Sequence, residues 1–152
     1  MRILALDISS HTGYAVFDDG KLVDSGTWHL DAEDYAEKAD QLSENFCGII
    51  FKDQNPEIHI DAVIFEQPMQ YKFGSSYLTT GLQFYLHHIA WIWDIPRYEI
   101  SPTKMKKHIT GKGNSTKQEV MNAIRELGYK PQSFDEADSI GIGLTYLDNI
   151  VA

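Results

Sequence analysis

The order of apolar runs along this chain predicts an α/β protein: a mixed five-stranded sheet with helices on both faces. Three observations carry that reading. Three strand-like runs with a hairpin signal open the chain; a helix, a strand, a helix and a strand then alternate, and helices close it. Two of the strands are short, apolar and acid-terminated. The 152 residues contain no internal repeat, low-complexity stretch or linker, so they are read as a single domain, 1–152.

The elements follow in order. Arg2 to Ile8 is a continuous apolar run with Asp7 at its end, the pattern of a buried strand. His11 to Asp18 and Lys21 to His29 are strands joined by Asp19-Gly20, a two-residue hairpin signal. Asp31 is expected to open a helix, with Glu33 and Asp34 in its first turn and Tyr35, Ala39, Leu42, Phe46 and Ile49 at helical spacing. Pro56 lies beyond its end. Asp61 to Glu66 is the second short strand ending in an acid, stopped by Pro68. Ser75 or Ser76 is expected to cap a helix running to about Trp93. Arg97 to Ile100 is the last strand, and Ser101-Pro102 starts a short helix as cap and first position. After the loop Gly111 to Asn114, a helix capped by Ser115 runs to Leu127 and is closed by Gly128. Phe134 to about Asn149 is the final helix.

Composition narrows the function classes. The longest apolar run falls short of the roughly 18 residues a membrane span needs. The start of the chain lacks the long apolar stretch and small-residue site of a signal peptide. Cys47, the single cysteine, cannot form an internal disulfide, and no Cys/His pair has zinc spacing. A cytoplasmic setting is expected. The net charge of −9 argues against nonspecific coating of nucleic acid, yet it is unevenly spread. Residues 97–130 carry eight basic and three acidic residues, a balance of +5, against −14 for the rest.

Four carboxylates carry the chemistry. Asp7 and Glu66 end apolar strands, and the carboxyl ends of strands in an α/β sheet are where ligands collect. Asp135 and Asp138 are three apart, on one face of a helix. Any one of these acids alone reads as a solvated strand end or a helix first-turn charge. Four in these places read as one cluster, whose mutual repulsion calls for a hard cation such as Mg²⁺ or Mn²⁺. Two such ions about 3.5–4 Å apart suit phosphodiester cleavage. Lys104, Lys106, Lys107, Lys112 and Lys117, interleaved with Gly111 and Gly113, form a candidate phosphate track, to which His108 is a possible addition. The bland alternative is a solvated basic face. His11, near the first acid, is a candidate supporting group, whereas adjacent His87 and His88 point apart and make poor metal ligands.

Ile3-Leu-Ala-Leu-Asp7 with Thr12-Gly13, Val63-Ile-Phe-Glu66-Gln67, Gly111 to Lys117 and Asp135-Glu-Ala-Asp138 together resemble the RuvC family of Holliday-junction resolvases, within the RNase H-like superfamily. The order and spacing cover about residues 2–150 and look most like a compact phage or low-GC bacterial member. The resemblance implies an RNase H-like fold. It implies a homodimer that makes paired nicks in four-way DNA junctions, leaving 5′-phosphate and 3′-hydroxyl ends, with forks as further candidate substrates. By it, Asp7, Glu66, Asp135 and Asp138 are the catalytic acids holding two Mg²⁺ or Mn²⁺ ions, and Lys117 with Lys106 or Lys107 meets the scissile phosphate. The chain departs from the family at Ile8-Ser9, where relatives often carry Pro-Gly. It departs again at Pro68-Met69, where bacterial relatives place an aromatic wedge; Met69, with Tyr71 and Phe73 nearby, is the candidate here.

The helix from about 76 to 93 is unusually apolar. Leu78, Leu82, Tyr85, Ile89 and Ile92 form one expected stripe, widened by Phe84, Trp91 and the two histidines. One stripe would cover the sheet and the remainder would form a self-interface, the alternative being a helix wholly buried in its own core. Two rival functions are weighed. An actin- or sugar-kinase-type phosphotransferase opens with a similar strand and hairpin but needs two such domains, and it leaves Glu66, Asp135 and Asp138 without a role. A non-catalytic branched-DNA-binding module would have no need of all four acids.

Overall fold

A computed structural model describes residues 1–52, 55–68 and 77–151. Strands β1 (Arg2–Asp7), β2 (His11–Asp18) and β3 (Lys21–His29) form an antiparallel meander. Helix α1 (Tyr35–Ile50) leads into a small ribbon of β4 (Phe51–Lys52) and β5 (Asn55–Ile58), which sequence reading did not foresee. Strand β6 (Ala62–Glu66), helix α2 (Tyr77–Ile92), strand β7 (Arg97–Ile100) and helices α3 (Pro102–Thr110), α4 (Lys117–Glu126) and α5 (Phe134–Tyr146) follow, and the chain widens into a π turn at Leu147–Val151. The main sheet has the order β3-β2-β1-β6-β7, with β1, β6 and β7 parallel. Mixed, five-stranded and covered on both faces, it is the sheet the sequence predicts.

Strand alternation builds two cores. Leu4, Leu6, Val63 and Phe65 face Leu42, Phe46, Leu82 and Leu86 of α1 and α2. Ile3, Ala5, Ala62 and Ile64 face Met105, Val120, Ile124 and Ile140 of α3, α4 and α5. By the same parity Asp7 and Glu66 point to the second face. The β1–β6 register ends at Leu6 against Phe65, so the next residues, Asp7 and Glu66, stand side by side at the strand ends. The hairpin turn forms as expected, with positive φ at both Asp19 (46°) and Gly20 (78°).

Two helix starts and one helix face differ from expectation. The N-cap of α1 is Asp34, whose carboxylate accepts from the N–H groups of Ala36 and Glu37, so Asp31 lies outside the helix. Tyr35 is exposed rather than core. Helix α4 is capped by Thr116 in a reciprocal box with Glu119, while Ser115 is buried beneath it, donating to Lys112 O and bonded to Thr110. On α2 the buried line is Leu82, Leu86 and Ala90, flanked by Leu78 and Ile89; Tyr85 and Ile92 are exposed. Ser101 caps α3 through the Lys104 N–H, as expected, but Ser75 and Ser76 lie outside the described residues.

Candidate active site

Asp7, Glu66, Asp135 and Asp138 line one cavity of about 360 Å³, together with Lys106, Lys117 and Gln83. Strand geometry brings the first two together, and the first turn of α5 brings the other two over them. That approach is close because β2 carries glycine at the crossing. A Cβ on Gly13 would lie 1.9 Å from the Asp135 carbonyl oxygen, so any other residue would push α5 off the sheet. The start of α5 is anchored by Glu136, which is buried. Its carboxylate accepts from Ser25 Oγ (2.7 Å) and from the Gln132 N–H (2.7 Å). Ser133 caps the helix through the Glu136 N–H, and its hydroxyl is bonded to Thr27 Oγ1 at 2.7 Å.

The acids are crowded and desolvated. Burial is the main cause holding the Asp7 carboxyl well above its usual range, reinforced by the charge of Glu66, a hydrogen bond with it, and Asp135. Burial also raises Glu66; the hydrogen bond from Asp7 and the charges of Lys106 and Lys117 oppose that rise, while Asp138 adds to it. Asp138 is pushed up to about 7, chiefly by burial and then by Asp7.

Such a cluster fits a divalent cation. All its donors are carboxylate oxygens, the set preferred by Mg²⁺ or Mn²⁺, and a cation would relieve the repulsion among them. The carboxylates share a cavity without closing into a cage: among the described residues no three His, Cys, Asp or Glu side chains already stand as a ligand set.

The lysines divide. Lys106 and Lys117 line the cavity. Lys107, the alternative to Lys106, is exposed and does not, so the structure separates the pair. Lys104 and Lys112 are also exposed outside the cavity, Lys112 standing 3.5 Å from Glu119. His108 is held by Asp148 at 2.8 Å rather than left open for phosphate. His11 pairs with His29, Nδ1 to Nδ1 at 3.0 Å, and does not line the cavity. Met69, Tyr71 and Phe73 lie outside the described residues.

Sequence reasoning missed Gln83 and Glu136. Each is a polar residue whose burial shows only once its helix is placed on the sheet, so no sequence signal singles it out.

The sheet order and the structural neighbours define an RNase H-like fold. The Thermus thermophilus RuvC structure in complex with a Holliday junction substrate matches with a TM-score of 0.77 at 21% identity, over 96% of this chain and 92% of that one. The yeast mitochondrial Holliday junction resolvase Ydc2 matches at 0.60 and 13%, over 96% and 77%. No protein-family model matches the chain. Among curated proteins, the crossover junction endodeoxyribonuclease RuvC of Hydrogenovibrio crunogenus is 30% identical over 154 residues, 95% of this chain and 86% of its own. That of Sulfurovum sp. strain NBC37-1 is 28% identical over 159 residues, 99% and 97%. That of Salinibacter ruber is 30% identical over 157 residues, 96% and 84%. The chain belongs to the RuvC family of crossover junction endodeoxyribonucleases.

Proposed function

We propose that this protein resolves four-way DNA junctions as a divalent-metal-dependent endonuclease, working as a homodimer in the cytoplasm. One observation carries the reading: four carboxylates from β1, β6 and α5 line a single cavity whose wall also holds Lys106 and Lys117. Asp7, Glu66, Asp135 and Asp138 would hold two Mg²⁺ or Mn²⁺ ions. When bound, such ions supply an activated water and stabilise the leaving 3′-oxygen, leaving 5′-phosphate and 3′-hydroxyl ends.

The chain's own residues do the rest. Lys117, the first residue of α4, and Lys106 on α3 place positive charge at the cavity wall, where a phosphate would sit. The exposed Lys104, Lys107 and Lys112 extend that charge for the DNA arms. Helix α2 keeps a second, exposed line of Tyr77, Gly81, Phe84, His88 and Trp91 at 4, 3, 4, 3 spacing. It borders an open groove of about 610 Å³ shared with Tyr35, Ala36 and Ala39 of α1. A seam of that period suits the same helix of a second copy, and twofold symmetry would then pair the nicks.

The test is cleavage of a labelled four-way junction beside a fork and a linear duplex, with Mg²⁺ or Mn²⁺ and with chelator. Paired, metal-dependent cuts in the junction are expected, and Asp7→Asn should lose cutting by 10³-fold or more, on the order of other essential-residue losses, while still binding. In thermal unfolding, Mn²⁺ should stabilise the wild type and not Asp7→Asn. Wild-type protein that binds junctions but cuts none under any metal condition would reduce the chain to a binding module.

A further inference from the structure

We infer that Gln83 is a positioning residue for junction cutting, holding the end of β6 so that the Glu66 side chain stays turned into the acid cavity. The inference rests on the catalytic reading of Glu66 above and names the group that sets its geometry.

The argument starts from the peptide between Glu66 and Gln67. Its N–H donates to Ile100 O of β7 at 2.8 Å. In a trans peptide the carbonyl points the opposite way, here toward β1. The β1 ladder has already stopped at Leu6 opposite Phe65, so the Glu66 carbonyl lies past it and takes a donor from elsewhere. The Gln83 side chain supplies one, Nε2 donating to Glu66 O at 2.9 Å. The peptide is thus held from both sides, by β7 and by α2. That fixes the backbone from which the Glu66 carboxylate projects.

The residue type is informative. Gln83 is 4% exposed, on a helix whose other buried residues are Leu82, Leu86 and Ala90. Burying an amide is unfavourable unless it is hydrogen-bonded, and an apolar side chain of similar length would fill the space as well. Packing alone therefore does not call for glutamine here. With Thr79 and Thr80, four and three residues earlier, Gln83 forms the one polar edge that α2 turns to the acid cavity. One turn later His87 stacks on Phe65, ring centroids 4.1 Å apart, so consecutive turns of α2 grip consecutive residues of β6. Phe84, the next residue, is 63% exposed on the proposed dimer seam. Gln83 and Phe84 thus place the catalytic end of β6 and the seam on adjacent residues of one helix.

Gln83→Leu and Gln83→Met remove the donor while keeping bulk. Gln83→Asn keeps the amide but withdraws it from Glu66 O by one methylene. Junction cleavage would be measured at saturating and limiting substrate, with Mn²⁺ affinity measured by calorimetry and all proteins held well below their unfolding temperatures. All three variants are expected to lower the maximal rate 10- to 100-fold and to weaken Mn²⁺ binding by a similar factor, as loss of outer-sphere support does at metal sites. Junction affinity should stay within about twofold, because no DNA-facing charge is removed. A merely structural role would shift the unfolding temperature and leave the maximal rate and Mn²⁺ affinity within twofold of wild type, and that result overturns the proposal. Failure of the wild type itself to cut would instead overturn the catalytic reading, so the two failures are distinguishable. If one apolar variant does not fold, the other and Gln83→Asn decide the outcome.

Discussion

At the scale of single residues, the acid cavity stores repulsion. Asp138, raised to about 7 by burial and by Asp7, binds a proton in the folded state that its unfolded form releases near pH 3.8. Between those values the native state carries more protons than the unfolded one. The sign follows: this group adds stability below its unfolded value and loses it as pH rises through about 7. In chelator, wild-type stability should therefore fall between pH 5 and pH 8 with a contribution from this site approaching 1.4 kcal/mol per pH unit at its steepest. Asp138→Asn should flatten that slope. Urea unfolding of both proteins across the range, without metal, reads the difference directly; equal slopes would show that Asp138 is not the buried, proton-holding group described here.

At the scale of elements, the geometry that brings the acids together is made by contacts remote from any metal. Glu136 ties the first turn of α5 to β3 by accepting from Ser25 and from the Gln132 N–H. Glu136→Ala strips both donors of their acceptor and should cost about 2–4 kcal/mol, the range for losing hydrogen bonds to a buried charged group. Asp135, its neighbour, would lose its placement at the same time, so cleavage should fall more than the fraction unfolded explains. Chemical denaturation and a cleavage assay on the same sample separate the two effects. Much of this site was legible beforehand, because an apolar strand closed by an acid has a period-2 signature and Asp135 and Asp138 share a helix face by spacing. Where the neighbouring pieces meet was not legible. Gln83 has no repeat to announce it, Glu136 reads as an ordinary first-turn acid, and the choice of Lys106 over Lys107 depends on how α3 is rotated against the sheet. The helix stripe was misphased on α2 because both its faces are apolar, so composition could not say which one meets the core. Thr116 displaced Ser115 as the α4 cap for a similar reason: either hydroxyl suits the position, and Ser115 is taken up by Thr110 and Lys112.

At the scale of the whole molecule, the exposed apolar face of α2 and the uneven charge make separate demands. Phe84 and Trp91, 63% and 62% exposed, would leave a large apolar surface in water on a lone chain. Sedimentation should give twice the 17.3 kDa of one chain, and Trp91→Glu should return it to a single chain without unfolding it; a wild type that stays at one chain's mass at every concentration would remove the seam. The charge makes a different prediction. The basic segment 97–130 stands at +5 on a chain at −9, so on the proposed reading DNA would be drawn to this segment of an otherwise repelling molecule. Lys107 is exposed on α3 beside the cavity-lining Lys106 but outside the cavity, where it would meet phosphate without touching the reacting bond. Each such contact releases condensed counterions, so the salt dependence of binding counts them. Lys107→Gln should weaken junction binding and make the slope of log affinity against log salt shallower by about 1, alike for junctions of different sequence. The rate at saturating junction should stay close to wild type, whereas Lys117→Gln, at the cavity wall, should lower that rate. An unchanged salt slope in Lys107→Gln would move the DNA off this face of α3.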